Sequence, residues 1–229
     1  MIGEPAPASL ADEFMKLQNN AKLVMIGDSI TDAERKRPEG EGLFGALGRG
    51  YVAQVDALLQ AAYPERLIRV VNQGESGNTV RNLKDRWQRD VLDKRPDWLS
   101  IMIGINDVWR QFDLPWQHEC HVLLEEYTAT LEELVSRTRP HVQGMVLMTP
   151  FFIEPNRTDV MRAQMDRYGD AVRTLAAKYD AVFVDVQAAF DEMLQALHPG
   201  AVAWDRVHPT QAGHMVITRA FLKAVEYAW

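Results

Sequence analysis

Short apolar runs alternate along this chain with longer segments of helical periodicity. Five runs of strand length are nearly continuous in valine, isoleucine, leucine and methionine: Lys22–Gly27, Arg66–Asn72, Asp97–Ile103, Gly144–Thr149 and Ala181–Val186. An unbroken apolar run is typical of a strand covered on both faces, as the strands of parallel sheets are. The pattern therefore predicts five parallel strands.

The segments between and after these runs carry apolar residues every three or four positions, which predicts helices with one buried stripe. They are Gly50–Ala62, Thr79–Leu92, Glu119–Arg137, Asp159–Lys178 and Gln211–Tyr227. Strands that alternate with helices are typical of βαβ units. We therefore predict an α/β fold of the flavodoxin-like type, with three layers, α/β/α, around a central five-stranded parallel sheet.

The length and composition predict one soluble domain that spans residues 1–229. A chain of 229 residues with 47% hydrophobic content is long enough for a single core. The net charge of −7 argues against nucleic acid or an anionic membrane as a partner. Cys120 is the only cysteine, and the opening segment MIGEPAPASLADEF has neither a secretory nor a transmembrane pattern. We therefore expect a cytoplasmic protein.

Polar residues follow the first predicted strand at once, in the sequence Gly27-Asp28-Ser29. A serine at a tight strand-to-helix turn projects its hydroxyl from the sheet edge, where loops of an open parallel sheet build the ligand site. We predict that Ser29 is a nucleophile, against the alternative that it is buried or caps the turn. Asp28 is expected to hold the turn through neighbouring backbone amides rather than to act as a second carboxylate.

The second and third strands end in NQGESGNT, residues 72–79, and IGINDVW, residues 103–109. The backbone N–H of Gly77 and the side-chain amide of Asn106 are predicted to join the Ser29 N–H as three donors to an oxyanion. Gly77 is equally suited to a left-handed turn, and Asn106 to capping the following helix. Neither alternative excludes catalysis.

The last predicted helix is preceded by WDRVHPTQAGH, residues 204–214, in which Asp205 and His208 lie three positions apart. At this spacing the carboxylate is able to hold one imidazole nitrogen while the other faces Ser29, which completes a serine-histidine-aspartate triad. Zinc binding by Asp205, His208 and His214 is a weaker alternative.

Other conspicuous residues change this interpretation little. His118 and His121 form an HxxH pair without a second ligand pair, so no metal and no cofactor are expected. Trp109 and Trp204 adjoin the motifs and are assigned to substrate binding through their aromatic faces, with burial in the core as the alternative. The charged run from Glu34 to Glu41 and the glycine-rich stretch Pro38–Gly50 predict a solvated loop at the carboxyl edge.

Four blocks in one order, GDSIT, NxGxSGNT, GINDVW and DxxHP, carry a family resemblance. The chain resembles the SGNH (GDSL) hydrolases over about residues 22–215, with Ile30 where the family label has leucine. Within that family it looks most like the intracellular acetylxylooligosaccharide esterases. The resemblance implies removal of acetyl groups from short xylan fragments and assembly into homo-oligomers.

The residues and the resemblance together predict a serine esterase that acts on small acetylated xylo-oligosaccharides, without metal, membrane or nucleic acid. A lipid-directed esterase or lysophospholipase of the same family remains an alternative, although no long apolar lid is evident. A non-catalytic sugar- or nucleotide-binding module is a second alternative. The apolar C-terminal segment FLKAVEYAW supports the expected homo-oligomer only weakly, since it suits the core equally well.

Overall fold

The computed structural model describes residues 15–229 and contains one five-stranded sheet with every neighbouring pair parallel. The strands are β1 Lys22–Gly27, β2 Arg69–Gly74, β3 Trp98–Met102, β4 Gly144–Met148 and β5 Val182–Val184, in the spatial order β2-β1-β3-β4-β5. Helices flank both faces, so the predicted three-layer α/β/α fold is confirmed.

The α-helices, numbered in chain order, begin with a four-residue helix directly after β1 and end near the C-terminus. They are α1 Ser29–Asp32, α2 Tyr51–Ala62, α3 Val80–Trp87, α4 Ile105–Asp113, α5 Leu124–Thr138, α6 Val160–Lys178, α7 Val186–Met193, α8 Pro199–Val202 and α9 Gln211–Ala224.

Right-handed crossovers decide which helices share a face. The chain moves from β1 outward to β2 and then back past β1 to β3, β4 and β5, so α2 lies on the face opposite to α3, α5 and α6. α9 packs against α2 and α7. The strands are almost entirely buried between these layers, which explains why their sequences are apolar without alternation.

The strand order reverses between β1 and β3, and a ligand site in such a sheet forms in the crevice beyond the carboxyl ends of the strands at this switch point. The loops that leave β1, β2 and β3 here carry the three predicted oxyanion donors. The fold therefore brings the sequence motifs to one place.

Several predicted boundaries were wrong. Arg66, placed at the start of the second strand, belongs to a 3₁₀ turn formed by residues 64–66, and β2 begins only at Arg69. The helix predicted from Glu119 begins only at Leu124. The fifth strand ends at Val184, and α7 begins two residues later. α7 and α8 were not predicted, and α4 was expected only as the helix that Asn106 is suited to cap, without bounds. These three helices have nine or fewer residues, too few for a periodic pattern to stand out.

The C-terminal segment FLKAVEYAW belongs largely to the core, because Phe221, Leu222 and Val225 are fully buried. It therefore gives no support to the expected homo-oligomer, although Trp229 at its end is exposed. Among residues 15–229, no helix combines the length and the apolar character needed to cross a membrane. The opening segment, residues 1–14, lies outside the described residues.

Candidate active site

The nucleophile candidate sits at the first turn of the four-residue helix that follows β1. Asp28 caps this helix, its Oδ1 accepting the Ile30 N–H at 3.0 Å, as predicted for a residue that holds the turn. Ser29 is half-buried, and its backbone N–H has no hydrogen-bond partner among residues 15–229. Both its hydroxyl and its N–H are therefore available to a ligand at the sheet edge.

The side chains of Ser29, His208 and Asp205 form one continuous chain of hydrogen bonds. Ser29 Oγ lies 2.8 Å from His208 Nε2, and His208 Nδ1 lies 2.6 Å from Asp205 Oδ2. Since an ionised carboxylate only accepts, the Nδ1 proton points to Asp205 and Nε2 is left to accept the serine proton. This is the arrangement that acyl transfer requires.

The turn that carries the histidine is fixed by the same carboxylate. Asp205 Oδ1 accepts the backbone N–H groups of Val207 and His208, at 3.0 and 2.8 Å. Partial burial alone raises the pKa of Asp205, but the hydrogen bonds from His208 and Val207 outweigh it and hold that pKa below its usual value. Asp205 therefore stays ionised at neutral pH.

The loop between β2 and α3 brings Gly77 to the same edge. Gly77 has φ of +80°, a conformation that favours glycine, so the predicted left-handed turn is present. The loop lies close to the nucleophile turn, since the Glu75 N–H donates to Gly27 O at 3.1 Å. A Cβ on Gly74 would lie 2.1 Å from the Asp32 backbone nitrogen, so only glycine permits this approach.

Asn106 is the second residue of α4, and Gly104 rather than Asn106 caps that helix. The Asn106 side chain is buried, and its Nδ2 donates to Asn78 O, in the Gly77 loop, at 2.9 Å. The second N–H of this amide has no partner in the part of the chain that the structure describes. Asn106 thus contacts the loop that carries Gly77 and keeps one side-chain N–H available to a ligand.

Sequence reasoning missed Arg86, which joins β1 to β2 and to the loop that carries Gly77. Its buried guanidinium donates to Gly27 O at 2.9 Å, to Gln73 O at 2.7 Å and to Asn78 Oδ1 at 2.7 Å. Its charge is balanced by Asp90, four positions later on the same helical segment. The contacts to Gly27 and Gln73 are long-range, so no local pattern pointed to them.

The charged run after α1 is less solvated than predicted. Arg35 is buried, and its Nε donates to Gly74 O at 2.7 Å. Asp32 is buried as well and accepts the Ser76 hydroxyl and the guanidinium of Arg37. These groups anchor the start of the β2–α3 loop to the segment that follows α1.

The two tryptophans assigned to substrate binding differ in surroundings. The half-buried Trp109 has its ring 6.1 Å from the imidazole of His208, measured between centroids, and packs against the core. Trp204 is 87% exposed and directly precedes Asp205. Trp109 thus lies beside the His208 ring, whereas Trp204 presents an exposed aromatic face.

The histidines considered as metal ligands have other partners. His214 is buried and its Nδ1 accepts the Tyr51 N–H at 3.2 Å, while His121 Nε2 lies 2.9 Å from Leu114 O. Within residues 15–229, no group of three or more histidine, cysteine, aspartate or glutamate side chains is arranged to hold a metal ion.

Two carboxyl groups beside the site are fully buried. Asp107 Oδ1 accepts the Val80 N–H at 2.9 Å, and its Oδ2 has no hydrogen-bond partner in the described part of the chain. Burial raises the pKa of Asp107 to about 7, and the charge of Asp28 adds to this. Burial likewise raises the pKa of Asp28 to about 7. Both groups hold a proton through much of the acidic range.

Replacing Asp107 by asparagine should change how stability depends on pH. The pKa of Asp107 is higher in the folded protein than in the unfolded chain. Its contribution to folding stability is therefore complete below about pH 4 and is lost as pH rises toward 7. The uncharged variant escapes this loss, so its free energy of unfolding relative to the wild type should rise by about 3 kcal/mol between pH 4.5 and 7.5. Urea unfolding at both pH values measures this change.

The control for this experiment is Asp85→Asn, at an exposed position on α3. Its free energy of unfolding relative to the wild type is expected to be nearly the same at the two pH values. An equally flat result for Asp107→Asn would show that Asp107 is already ionised in the folded protein at pH 4.5.

Known proteins are similar to this chain over most of its length. The sequence matches the GDSL-like Lipase/Acylhydrolase family over residues 25–216. It is 61% identical over 215 residues to an acetylxylan esterase of Geobacillus stearothermophilus, a match that covers 94% of this chain and 98% of that protein.

Solved structures give the same picture. The crystal structure of the Geobacillus stearothermophilus acetylxylan esterase superposes with a TM-score of 0.93 at 61% identity, covering 94% of this chain and 98% of that one. Variants of that enzyme described as catalytic mutants replace a serine, an aspartate or a histidine by alanine. An alpha/beta hydrolase from the metagenome of Lake Arreo, Spain, has a TM-score of 0.91 at 59% identity, covering 92% and 97% of the two chains.

The extent of these matches decides the family. Residues 25–216 contain all four motifs, and the Geobacillus enzyme is similar along nearly the whole chain. On these grounds the chain belongs to the GDSL-like lipase/acylhydrolase family of serine esterases.

Proposed function

We propose that this chain removes acetyl groups from short acetylated xylo-oligosaccharides through an acetyl-enzyme intermediate on Ser29. The observation that carries the proposal is the unbroken hydrogen-bond chain from Ser29 through His208 to Asp205 at the carboxyl edge of the sheet. The similarity to an acetylxylan esterase supports the substrate class.

In the first half of the reaction, Ser29 Oγ attacks the acetyl carbonyl carbon while His208 Nε2 takes the hydroxyl proton. The 2.8 Å separation between Oγ and Nε2 lets the proton pass directly. Asp205 keeps the imidazole in the required tautomer and stabilises the imidazolium that forms. His208 then gives the proton to the sugar oxygen, which leaves as a hydroxyl.

The developing oxyanion is stabilised by the N–H groups of Ser29 and Gly77 and by the free N–H of Asn106. These donors come from the loops after β1, β2 and β3, which Arg86 and the Asn106–Asn78 bond hold together. Such fixed donors require no reorganisation when the charge appears. Water then attacks the acetyl-enzyme by the same steps and releases acetate.

The relatives support the assignment of the three catalytic side chains. In the Geobacillus enzyme the aspartate and the histidine of the catalytic mutants lie three positions apart, as Asp205 and His208 do here. Two of its solved structures are described as those of an acetyl-xylooligosaccharide esterase. We assign the sugar contacts to Trp109, beside His208, and to the exposed face of Trp204.

The setting of the reaction is also part of the proposal. We place the enzyme in the cytoplasm as a homo-oligomer that needs neither nucleic acid nor membrane. The single cysteine supports the cytoplasmic location, the net charge of −7 argues against nucleic acid and anionic membranes, and the homo-oligomer rests on the family resemblance alone. A cytoplasmic enzyme meets fragments small enough to be imported, so its substrate is an oligosaccharide rather than polymeric xylan.

A panel of p-nitrophenyl esters tests the small acyl group. Ser29 is half-buried while Gly77 and His208 are exposed, so residues 15–229 form a shallow site here rather than an apolar tunnel for a chain. Each methylene received by such a tunnel would contribute about 0.8 kcal/mol. We expect kcat/KM to be highest for acetate and to fall steeply by butyrate.

The same enzyme should release acetate faster from acetylated xylo-oligosaccharides than from acetylated polymer. A maximum of kcat/KM at octanoate or longer would contradict the carbohydrate assignment and favour a lipid-directed esterase. Absence of hydrolysis on the whole panel would favour a non-catalytic binding module.

A further inference from the structure

Arg110 lies on α4 four positions after Asn106, so the two side chains share one face of the helix. Its Nη2 donates to Asn106 Oδ1 at 3.2 Å, and its Nη1 pairs with Asp113. The guanidinium also lies over the ring of Trp109, 4.9 Å from the centroid. Three contacts therefore hold this side chain in one position.

The hydrogen bond from Arg110 to Asn106 matters because a side-chain amide has an oxygen that accepts at one end and an NH₂ group that donates at the other. If the amide of Asn106 turned over, its oxygen would face Asn78 O and the developing oxyanion, and both contacts would be repulsive. Asn78 O accepts and therefore requires the NH₂ end on its side. Arg110 donates and therefore requires the oxygen on the other side. The two neighbours specify the same orientation from opposite ends.

We propose that Arg110 is a positioning residue of the oxyanion hole, which fixes the amide of Asn106 and strengthens its free N–H as a donor. A cation bound to the amide oxygen draws electron density from the nitrogen, so the N–H becomes a better donor. Arg110 acts through Asn106 and does not itself touch the reacting atoms. The inference rests on the proposed role of Asn106.

The partners of Arg110 suit this role. Asp113 balances its charge and pairs with Nη1, which leaves Nη2 to Asn106, while the guanidinium lies over the ring of Trp109. Trp109 is also the ring that adjoins His208. One arginine thereby links the amide donor to the aromatic ring beside His208, which a lysine with a single ammonium group reproduces only in part.

The first test is the kinetics of Arg110→Met and Arg110→Lys with p-nitrophenyl acetate. We expect Arg110→Met to lower kcat about 10-fold with KM within about 2-fold, and Arg110→Lys to lose only about 3-fold. The control is Arg137→Met, which removes the same kind of bond, from Arg137 Nη2 to the Gln88 amide oxygen at 2.7 Å. Arg137 lies at the C-terminal end of α5, away from the site, so kcat should not change.

The second test places Arg110→Met in an Asn106→Ala background. Removing one oxyanion donor is expected to lower kcat about 10²-fold. Because Arg110 acts only through that donor, the double variant should be no more than about 2-fold slower than Asn106→Ala alone. If Arg110→Met does not fold, Arg110→Lys is compared in the same two backgrounds, and its 3-fold loss should disappear with Asn106.

The outcomes separate the two claims. An unchanged kcat for Arg110→Met, a change in KM alone, or losses that multiply in the double variant would each overturn the role of Arg110 and leave Asn106 in place. Full kcat for Asn106→Ala would instead remove Asn106 from the oxyanion hole, and the inference about Arg110 with it.

Discussion

Replacing Ser29 by alanine is expected to abolish ester hydrolysis, with kcat lowered about 10⁶-fold and the fold unchanged. The hydroxyl is the atom that forms the acetyl-enzyme, and nothing else in the hydrogen-bond chain can replace it. Only one oxygen is lost from a half-buried position at the sheet edge, so the core remains intact. The rate with p-nitrophenyl acetate and the circular dichroism spectrum together check this.

The matched control is Ser136→Ala on α5, an exposed serine whose hydroxyl donates to the Glu133 carbonyl at 3.0 Å. It should keep the wild-type rate. A Ser29→Ala protein that is folded and retains more than a few per cent of kcat would show that the nucleophile is another group.

Replacing Asp205 by asparagine is expected to lower kcat about 10⁴-fold, a large effect but smaller than the loss of Ser29. An amide in this place turns an N–H toward His208 Nδ1, which favours the tautomer with the proton on Nε2. That nitrogen then cannot accept the proton of Ser29. The amide oxygen still accepts the Val207 and His208 N–H groups, so the turn itself should persist.

The control is Asp159→Asn at the start of α6. Asp159 Oδ1 accepts two backbone N–H groups, from Met161 and Arg162, both at 3.0 Å, as Asp205 Oδ1 does in its own turn. Asparagine is an equally good cap, so this variant should keep both stability and rate. A loss at Asp205 no larger than at Asp159 would mean that Asp205 only shapes the turn.

The strands could be predicted because the physics behind their pattern is simple. A strand between two helical layers has no polar face, so β1, β3 and β4 appear as unbroken apolar runs with nearly correct bounds. β2 was placed too early because Arg66 precedes apolar residues, yet Arg66 is buried in a 3₁₀ turn and donates to Leu17 O. The contact that keeps Arg66 out of β2 is with Leu17, which is far away in the sequence.

The short helices could not be predicted, for a reason tied to the site. α4 begins with Ile105, Asn106 and Asp107, all buried, so two of its first three residues are polar groups in the interior. Their burial follows from their contacts with the loop after β2 and not from amphipathic periodicity. A helix that carries such groups departs from the pattern that marks ordinary helices.

The candidate site residues could be predicted from the sequence because each lies in a loop after a strand or just before the last helix, where ligand sites form in such folds. The residues that hold them in place could not be predicted in this way. Arg110 would have been indicated by its spacing from Asn106 if the sequence had placed Asn106 inside α4 rather than at its cap. Arg86 contacts Gly27 and Gln73 on two strands, and only the folded chain brings these together.

The central claim is that Ser29, activated by His208, is the nucleophile. The most direct measurement is labelling with a serine-directed fluorophosphonate, followed by peptide mapping with mass spectrometry. We predict one adduct, on the peptide that contains Ser29, with hydrolysis lost in step with labelling and labelling much slower in His208→Ala. An adduct on another residue, or complete labelling of Ser29 that leaves hydrolysis intact, would contradict the account.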